Sequence, residues 1–357
     1  MANTMEYYTE FLKSLKRQVL YPVYLFYGPE GYLREQAVNR LIKFFRQDGG
    51  SDFNIDLIDG DTATVGDMVA SAETLPLFTQ RRLVVVKNPP FFKGSKRAGK
   101  GSTVANENKG SNRGEKVLLK YLMDPLSSTV LVFNTNEPVD KRKRVFKAVR
   151  QTGKTVDFTY LRRSGLEFLL NQRVDKAGCR FAGRALEKLL DRTGPSLQKL
   201  DTEIEKLLNY AGPGGVITPD DVHRLCPSSL QDNIFAIVDA VGHRHCGEAL
   251  SGIQDMLAAK EPPLRILAMI TRQFRLLLQI HDLTGRGWPP REIAKRLKTH
   301  PYVVQKITAQ CKNYSGESLI RIFQSLLEID VAVKTGRQEF YPAVEHFILK
   351  LCADSRG

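Results

Sequence analysis

Apolar residues follow two rhythms along this chain. Up to about residue 158, short unbroken apolar runs alternate with segments whose apolar positions recur every three or four residues. Tyr21-Pro-Val-Tyr-Leu-Phe-Tyr27 is one such run, rich in β-formers and ended by Gly28, and it predicts a buried strand. Leu33, Ala37, Leu41 and Phe45 then recur at helical spacing until Gly49-Gly50 stops the helix. Phe53 to Ile58 predicts a second strand and Val65 to Glu73 a helix. Arg82-Leu-Val-Val-Val-Lys87 predicts a third strand, which Asn88-Pro89-Pro90 cannot extend. Thr129-Val-Leu-Val-Phe133 is a fourth, closed by the turn-rich Asn134-Thr-Asn-Glu-Pro138, and Thr155-Val-Asp-Phe158 a fifth. Strands alternating with helices imply a mainly parallel sheet covered on both faces.

From about Tyr160 onward the rhythm is helical and no strand is predicted. Leu197, Leu200, Ile204, Leu207 and Leu208 form one stripe, entered through Gly194-Pro195-Ser196. Thr218-Pro219-Asp220-Asp221 has the form of an N-cap, a proline at the first helical position and an acid in the first turn. Leu225-Cys-Pro-Ser-Ser229 marks a boundary, and long helices are expected beyond it over 233–241, 248–259, 263–283, 317–334 and 341–352. The pattern therefore predicts an α/β domain over 1–158, a small helical domain over 159–227 and a larger helical bundle over 228–357.

Composition narrows the class. At 357 residues, with 42% apolar and 26% charged residues, the chain matches an ordinary globular protein too long for a single core. No apolar run approaches the roughly 20 residues of a membrane span, and Met1 to Leu20 lacks the apolar centre of a signal peptide, so a cytoplasmic protein is expected. Five scattered cysteines without a C-x-x-C pair read as reduced thiols packed in cores. The net charge of +14 favours a polyanionic partner. Residues 93–114 interrupt the α/β pattern with six basic side chains (Lys93, Lys96, Arg97, Lys100, Lys109, Arg113) against the single acid Glu107. Nearly free of large apolar groups, this insertion reads as a solvated, flexible segment, or else as an arm that grasps DNA.

A strand ending in glycine before a helix is where a phosphate-binding loop sits. Counting G-x-x-x-x-G-K-[ST] from Gly28, however, puts Leu33 at the second glycine, Arg34 at the lysine and Glu35 at the hydroxyl. A bulky Leu33 stands where backbone must approach phosphate, and the Glu35 carboxylate stands where a hydroxyl should hold magnesium. Asp59-Gly60-Asp61 reads as a loop rather than an acidic metal-binding pair. Gly28-Pro-Glu-Gly31 is thus a tight turn of a degenerate loop, and no nucleotide cofactor is expected. His243-Arg-His245-Cys246 is too compact to enclose a metal without a second segment. No catalytic constellation stands out.

A defunct phosphate loop in an α/β domain, followed by two helical domains, suggests a non-catalytic AAA+/RecA-like subunit. The residues themselves resemble a family. Tyr21-Pro-Val-Tyr-Leu-Phe-Tyr-Gly-Pro-Glu-Gly-Tyr-Leu-Arg-Glu-Gln36 and Thr74-Leu-Pro-Leu-Phe-Thr-Gln-Arg-Arg-Leu-Val-Val-Val-Lys-Asn88 resemble the opening turn and the clamp-contact segment of bacterial DNA polymerase III delta subunits. Arg272-Gln-Phe-Arg-Leu-Leu277 and His300-Pro-Tyr-Val-Val304 are also similar, and the likeness runs through nearly the whole chain apart from residues 93–114. The resemblance implies a clamp loader subunit with a lid and a collar domain after the α/β domain. Its partners would be the ATPase subunits (gamma/tau), delta prime, the beta sliding clamp and primed DNA. It further implies that an apolar pair at a helix tip enters a pocket of the clamp and opens the ring. Leu77 and Phe78 match that pair. On the residues alone, two adjacent apolar groups after Pro76 serve equally as a cap on the sheet's core.

The resemblance also implies an aromatic of the last domain near the primer–template junction. Phe340 and Tyr341 lie in roughly the right region, or equally are core residues of the final helix; Arg265, Arg272 and Arg275, on one helix, face DNA phosphates, neighbouring subunits or solvent. A rival reading is a helix-turn-helix regulator over Arg291 to Ile307, with Ile293, Ala294, Leu297, Val304 and Ile307 packing its two helices. Pro301 in the connection, and Tyr302 and Val303 at the reading end, argue against it. An active ATPase and a scaffold sharing only the fold are the remaining alternatives.

Overall fold

The structure, a computed structural model, describes residues 4–47, 52–92, 107–228 and 230–353. The chain forms two compact units, Met1–Leu161 and Arg162–Gly357.

The first unit contains α1 (Thr4–Lys16), β1 (Val23–Tyr27), α2 (Gly31–Gln47), β2 (Ile55–Asp59) and α3 (Val65–Glu73). It continues with β3 (Arg82–Lys87), α4 (Glu107–Met123), β4 (Thr129–Thr135), α5 (Arg144–Thr152) and β5 (Lys154–Asp157). All five strands are parallel, in the order β2-β3-β4-β1-β5, with Val23 opposite Leu131 and Leu25 opposite Phe133. Of the central strands, β1 and β4 are buried from end to end and β3 up to its exposed Lys87, which is why their sequences are built on apolar runs. Val23, Leu25, Val84, Val86, Leu131 and Phe133 face α3, α4 and α5. On the other face Phe11 of α1 meets Tyr24 and Phe26 edge-on, with centroids 6.0 and 5.4 Å away. This is the α/β plan that the alternating pattern predicts.

Local signals set the boundaries. Thr64 and Asp67 form a reciprocal capping box at the start of α3. The helix α1 was not foreseen, because its five buried side chains are interleaved with charged ones. The basic insertion is shorter than its composition suggests, since residues from Glu107 onward belong to α4. Residues 93–106 of that insertion lie outside the described residues, as does the Gly49-Gly50 stop.

The second unit contains α6 (Arg163–Lys176), β6 (Arg180–Phe181), α7 (Ala185–Thr193), α8 (Leu197–Ala211), β7 (Val216–Ile217) and α9 (Pro219–Leu225). Then follow α10 (Leu230–Gly242), α11 (Cys246–Ala258), α12 (Pro263–Gly285), α13 (Pro290–Arg296), α14 (Pro301–Gln310), α15 (Gly316–Lys334) and α16 (Phe340–Ala353). It is mostly helical, as the rhythm predicts. The exception is the two-residue parallel ladder of β6 and β7, too short to leave a period in the sequence. Thr218 and Asp221 form the expected capping box, with Pro219 at the helix start. One apolar cluster runs from Ile234 to Ile348 through α10 to α16.

The cysteine reading is corrected in one respect. Cys246 and Cys352 form a disulfide between α11 and α16, whereas Cys179, Cys226 and Cys311 remain free. No helix among the described residues is long and apolar enough to cross a membrane.

Candidate functional site

The turn after β1 is built tightly. Gly28 has φ +118°, and a Cβ there would come within 2.5 Å of the Phe158 carbonyl oxygen, so only glycine fits. The next residues close the turn from within. Leu33 is buried in the core, and the guanidinium of Arg34, itself buried, donates to the Gly28 carbonyl. Burial lowers the pKa of Arg34. Glu35 accepts a hydrogen bond of 2.8 Å from Asn134 Nδ2 on β4 rather than facing an open cradle. Glu30 is also buried, and desolvation, partly offset by the Tyr32 amide and the Arg34 charge, raises its pKa to about 7. The chain's own groups thus occupy this turn, with an arginine bonded to backbone where a phosphate loop would hold its ligand. At the candidate acidic pair, Asp59 ends β2 and accepts from the Asp61 amide at 3.0 Å, within a turn.

The segment between α3 and β3 is arranged in the opposite sense. The helix ends at Glu73 with Thr74 as its C-cap, so Leu77 and Phe78 stand on a loop and not on the helix tip. Leu77 is 54% exposed, Leu75 68%, and Phe78 102%. Phe78 also adopts φ +60°, a left-handed conformation that a bulky side chain takes only when its surroundings impose it. Asn54 imposes it. Buried just ahead of β2, Asn54 accepts from the Leu77 amide at 2.8 Å through Oδ1. Its Nδ2 donates to the Leu77 carbonyl at 2.7 Å and to Thr79 Oγ1 at 2.9 Å. Beneath the loop, the buried Arg82 binds Asp56 at 2.7 Å and the Phe53 carbonyl at 3.3 Å. Arg82 is therefore an anchor beneath the loop. The sequence reading placed the 77%-exposed Phe53 and Asn54 inside the second strand, whereas both precede β2 in a single 3-10 turn, and it missed the role of Asn54.

The residues proposed near DNA do not converge. Arg265 pairs with Glu261 at 3.1 Å, Arg272 is exposed, and Arg275 lies over the Phe323 ring at 5.8 Å. Phe340 is buried, and Tyr341 accepts a 2.6 Å hydrogen bond from Gln254. A different aromatic is presented to solvent. Trp288, between α12 and α13, is 38% exposed with Arg296 stacked at 5.2 Å and Arg291 and Lys295 exposed nearby in sequence.

The helix-turn-helix reading is not supported. Val303, Val304 and Ile307 of α14 are buried, and Tyr302 donates to Asp191 at 3.0 Å, so the reading end is used in packing. His300 caps α14 by accepting from the Tyr302 amide, and burial lowers its pKa to about 4. His243 and His245 lie side by side, but no group of three or more His, Cys, Asp or Glu among the described residues is placed to hold a metal ion.

Comparison with known proteins agrees along nearly the full length. The family model described as DNA polymerase III, delta subunit, matches residues 24–159, and that of its C-terminal domain matches residues 231–351. The chain is 32% identical over 342 residues to the DNA polymerase III subunit delta of Bacillus subtilis strain 168, covering 95% of each. It is 22% identical over 349 residues to a probable DNA polymerase III subunit delta of Aquifex aeolicus, covering 95% of this chain and 93% of that one. The solved structure of the Bacillus subtilis DNA clamp loader delta protein superposes with a TM-score of 0.79 at 30% identity, covering 97% and 99% of the two chains. The degenerate phosphate turn, the α/β-then-helical plan and these matches together place the chain in the family of DNA polymerase III delta subunits, components of the clamp loader.

Proposed function

We propose that this chain binds the beta sliding clamp through Leu77 and Phe78 and opens the ring, so that the clamp can be placed on primed DNA in the cytoplasm. The observation that carries this reading is the complete exposure of Phe78 on a loop whose backbone Asn54 holds rigid. An unpinned aromatic would collapse onto the nearest apolar surface. Here the left-handed backbone and three hydrogen bonds keep it outward. Burying Leu77 and Phe78 in a partner's pocket would contribute about 1.5–3 kcal/mol each, enough for a hot spot.

In this reading the chain is a non-catalytic subunit. Supporting this, Arg34 fills the phosphate turn and Glu35 replaces the hydroxyl a nucleotide-bound magnesium would need. Hydrolysis would come from the gamma/tau ATPase subunits, with delta prime completing the loader. The second unit would comprise a lid over 159–227 and a collar over 228–357 that joins the other subunits. Support for the division comes from the single apolar cluster confined to α10 to α16. Of the aromatics in the last domain, Trp288 with Arg291, Lys295 and Arg296 suits the primer–template junction better than the engaged Tyr341.

The test is binding of the purified chain to the sliding clamp of its own organism. Wild type should bind, and the Leu77→Ala, Phe78→Ala double variant should not, while melting at an unchanged temperature. A well-folded wild type that fails to bind the clamp would overturn the reading.

A further inference from the structure

The five cysteines divide into two kinds. Cys179 and Cys226 are buried, and burial pushes the Cys226 thiol up to about 12 and the Cys311 thiol up to about 11. Cys179 donates to the Gly212 carbonyl at 3.2 Å and Cys311 to the Leu277 carbonyl at 3.6 Å, which also keeps the proton on sulfur. Thiols held protonated are poor nucleophiles. Cys246 and Cys352 are placed differently. Each is half-buried at the end of a helix, and their Cα atoms lie 6.2 Å apart, within the span that a disulfide bridges.

The two helix ends are of opposite sign. Cys246 is the first residue of α11, where the helix carries partial positive charge, and it directly follows the exposed His243, Arg244 and His245. The acid of that first turn, Glu248, is drawn to His245, with 3.5 Å between its Oε1 and the ring Nδ1. Cysteines at helix N-termini and beside cationic side chains are the ones that react as thiolates. Cys352 is the next-to-last residue of α16, at a helix end of partial negative charge, and it packs against the margin of the apolar cluster. Such a place does not activate a thiol. The pair thus holds one activated sulfur and a second one within its reach.

We infer that Cys246 and Cys352 are a peroxide-reactive dithiol, Cys246 the attacking sulfur and Cys352 the resolving one, whose bond fastens α16 to α11. The Cys246 thiolate attacks one oxygen of hydrogen peroxide: an S–O bond forms, the O–O bond breaks, and the leaving hydroxide takes up a proton to depart as water. The Cys352 sulfur then attacks Cys246. The S–S bond forms, the S–O bond breaks, and hydroxide leaves with the Cys352 proton as a second water. Two electrons pass from the two sulfurs to the peroxide, and a dithiol reverses the bond by exchange. The bond joins residues 106 positions apart and encloses α11 to α16, so it restricts the unfolded form of most of the last apolar cluster. Oxidation therefore stabilises this part of the chain. The inference goes beyond the clamp reading and takes nothing from it, since Leu77 and Phe78 lie in the other unit.

The test uses the full chain, reduced with a dithiol, desalted and then treated with hydrogen peroxide while folded. Thiols are counted after denaturation. The five present before treatment should fall to three, a peptide joining Cys246 to Cys352 should appear on non-reducing digestion, and a dithiol should restore all five. Oxidation should raise the melting temperature by about 5 °C or more, and reduction should reverse the rise. Two variants separate the roles. In Cys352→Ser a sulfenic acid should accumulate on Cys246 and be trapped by dimedone; in Cys246→Ser none should form on Cys352 at the same dose. Survival of all five thiols in the treated wild type would overturn the inference. So would first oxidation at Cys179, Cys226 or Cys311, or equal trapping on Cys246 and Cys352, which would remove the distinction between attacking and resolving sulfur.

Discussion

The two loops that matter in the α/β unit make opposite use of their polar groups. At the turn after β1, Arg34 is buried against the Gly28 carbonyl, Glu35 is held by Asn134 and Leu33 lies in the core, so the loop is closed on itself. Between α3 and β3, the buried polar group Asn54 satisfies the backbone so that apolar side chains can face water. Arginine and asparagine do the same physical job in both places: they bond main-chain groups that would otherwise be stranded. What differs is the side on which the apolar residues end. One loop has become core, and the other leaves its apolar side chains exposed.

Truncations separate these roles. The largest effect is expected at the open loop, where Leu77→Ala with Phe78→Ala should cost about 3–6 kcal/mol of clamp binding, hundredfold or more, and at most about 0.5 kcal/mol of stability. Next comes the closed loop. Leu33→Ala should cost about 2–5 kcal/mol of folding stability by opening a cavity, measured by denaturant unfolding. If Phe78→Ala destabilised the chain as much as Leu33→Ala, the contrast between the loops would be gone. A smaller effect belongs to Asn54→Ala, which strands main-chain groups at a cost of about 1–3 kcal/mol. That variant should also weaken clamp binding although Leu77 and Phe78 remain. In a Leu77→Ala, Phe78→Ala background it should weaken binding no further, and such non-additivity would mark Asn54 as a positioning residue.

Much of this was legible in the sequence, and what was not has physical reasons. Unbroken apolar runs located β1, β3 and β4 because strands buried on both faces leave that pattern, whereas the edge strands β2 and β5 are half-exposed and carry polar residues. The three departures from the phosphate-loop spacing, Leu33, Arg34 and Glu35, pointed to a turn filled by the chain's own side chains, and Pro76 marked the Leu77–Phe78 segment as irregular. Periodicity could not register a hydrogen bond such as Asn54 to Leu77, whose partners are 23 residues apart. It missed the ladder of β6 and β7 for want of length, and α1 for its charged interleaving. The likeness of Arg291 to Ile307 to a DNA reader arose because packed helical hairpins share one apolar spacing, whatever their outer faces do. Trp288 was passed over because no periodic pattern separates an exposed aromatic in a connecting segment from a buried one.

An effect no larger than that of Asn54→Ala lies at Glu30, and it asks how completely the closed loop has left solvent. The carboxyl titrates near 7 in the folded chain, above the 4.5 of an ordinary glutamate, because burial disfavours its charge more than Arg34 and the Tyr32 amide favour it. Between those two pH values the folded chain therefore holds a proton that the unfolded chain has released. Stability from this group is fully present below about pH 4.5 and falls as pH rises, with the loss complete above about 7. Glu30→Gln removes the titration. It should raise stability at pH 8 by about 1–3 kcal/mol, change little at pH 4, and flatten the slope between, as read by urea unfolding at each pH. A variant with the wild-type slope would mean that water still reaches the turn and keeps Glu30 charged. The closed loop would then be partly open to solvent, and its contrast with the Leu77–Phe78 loop would be one of degree.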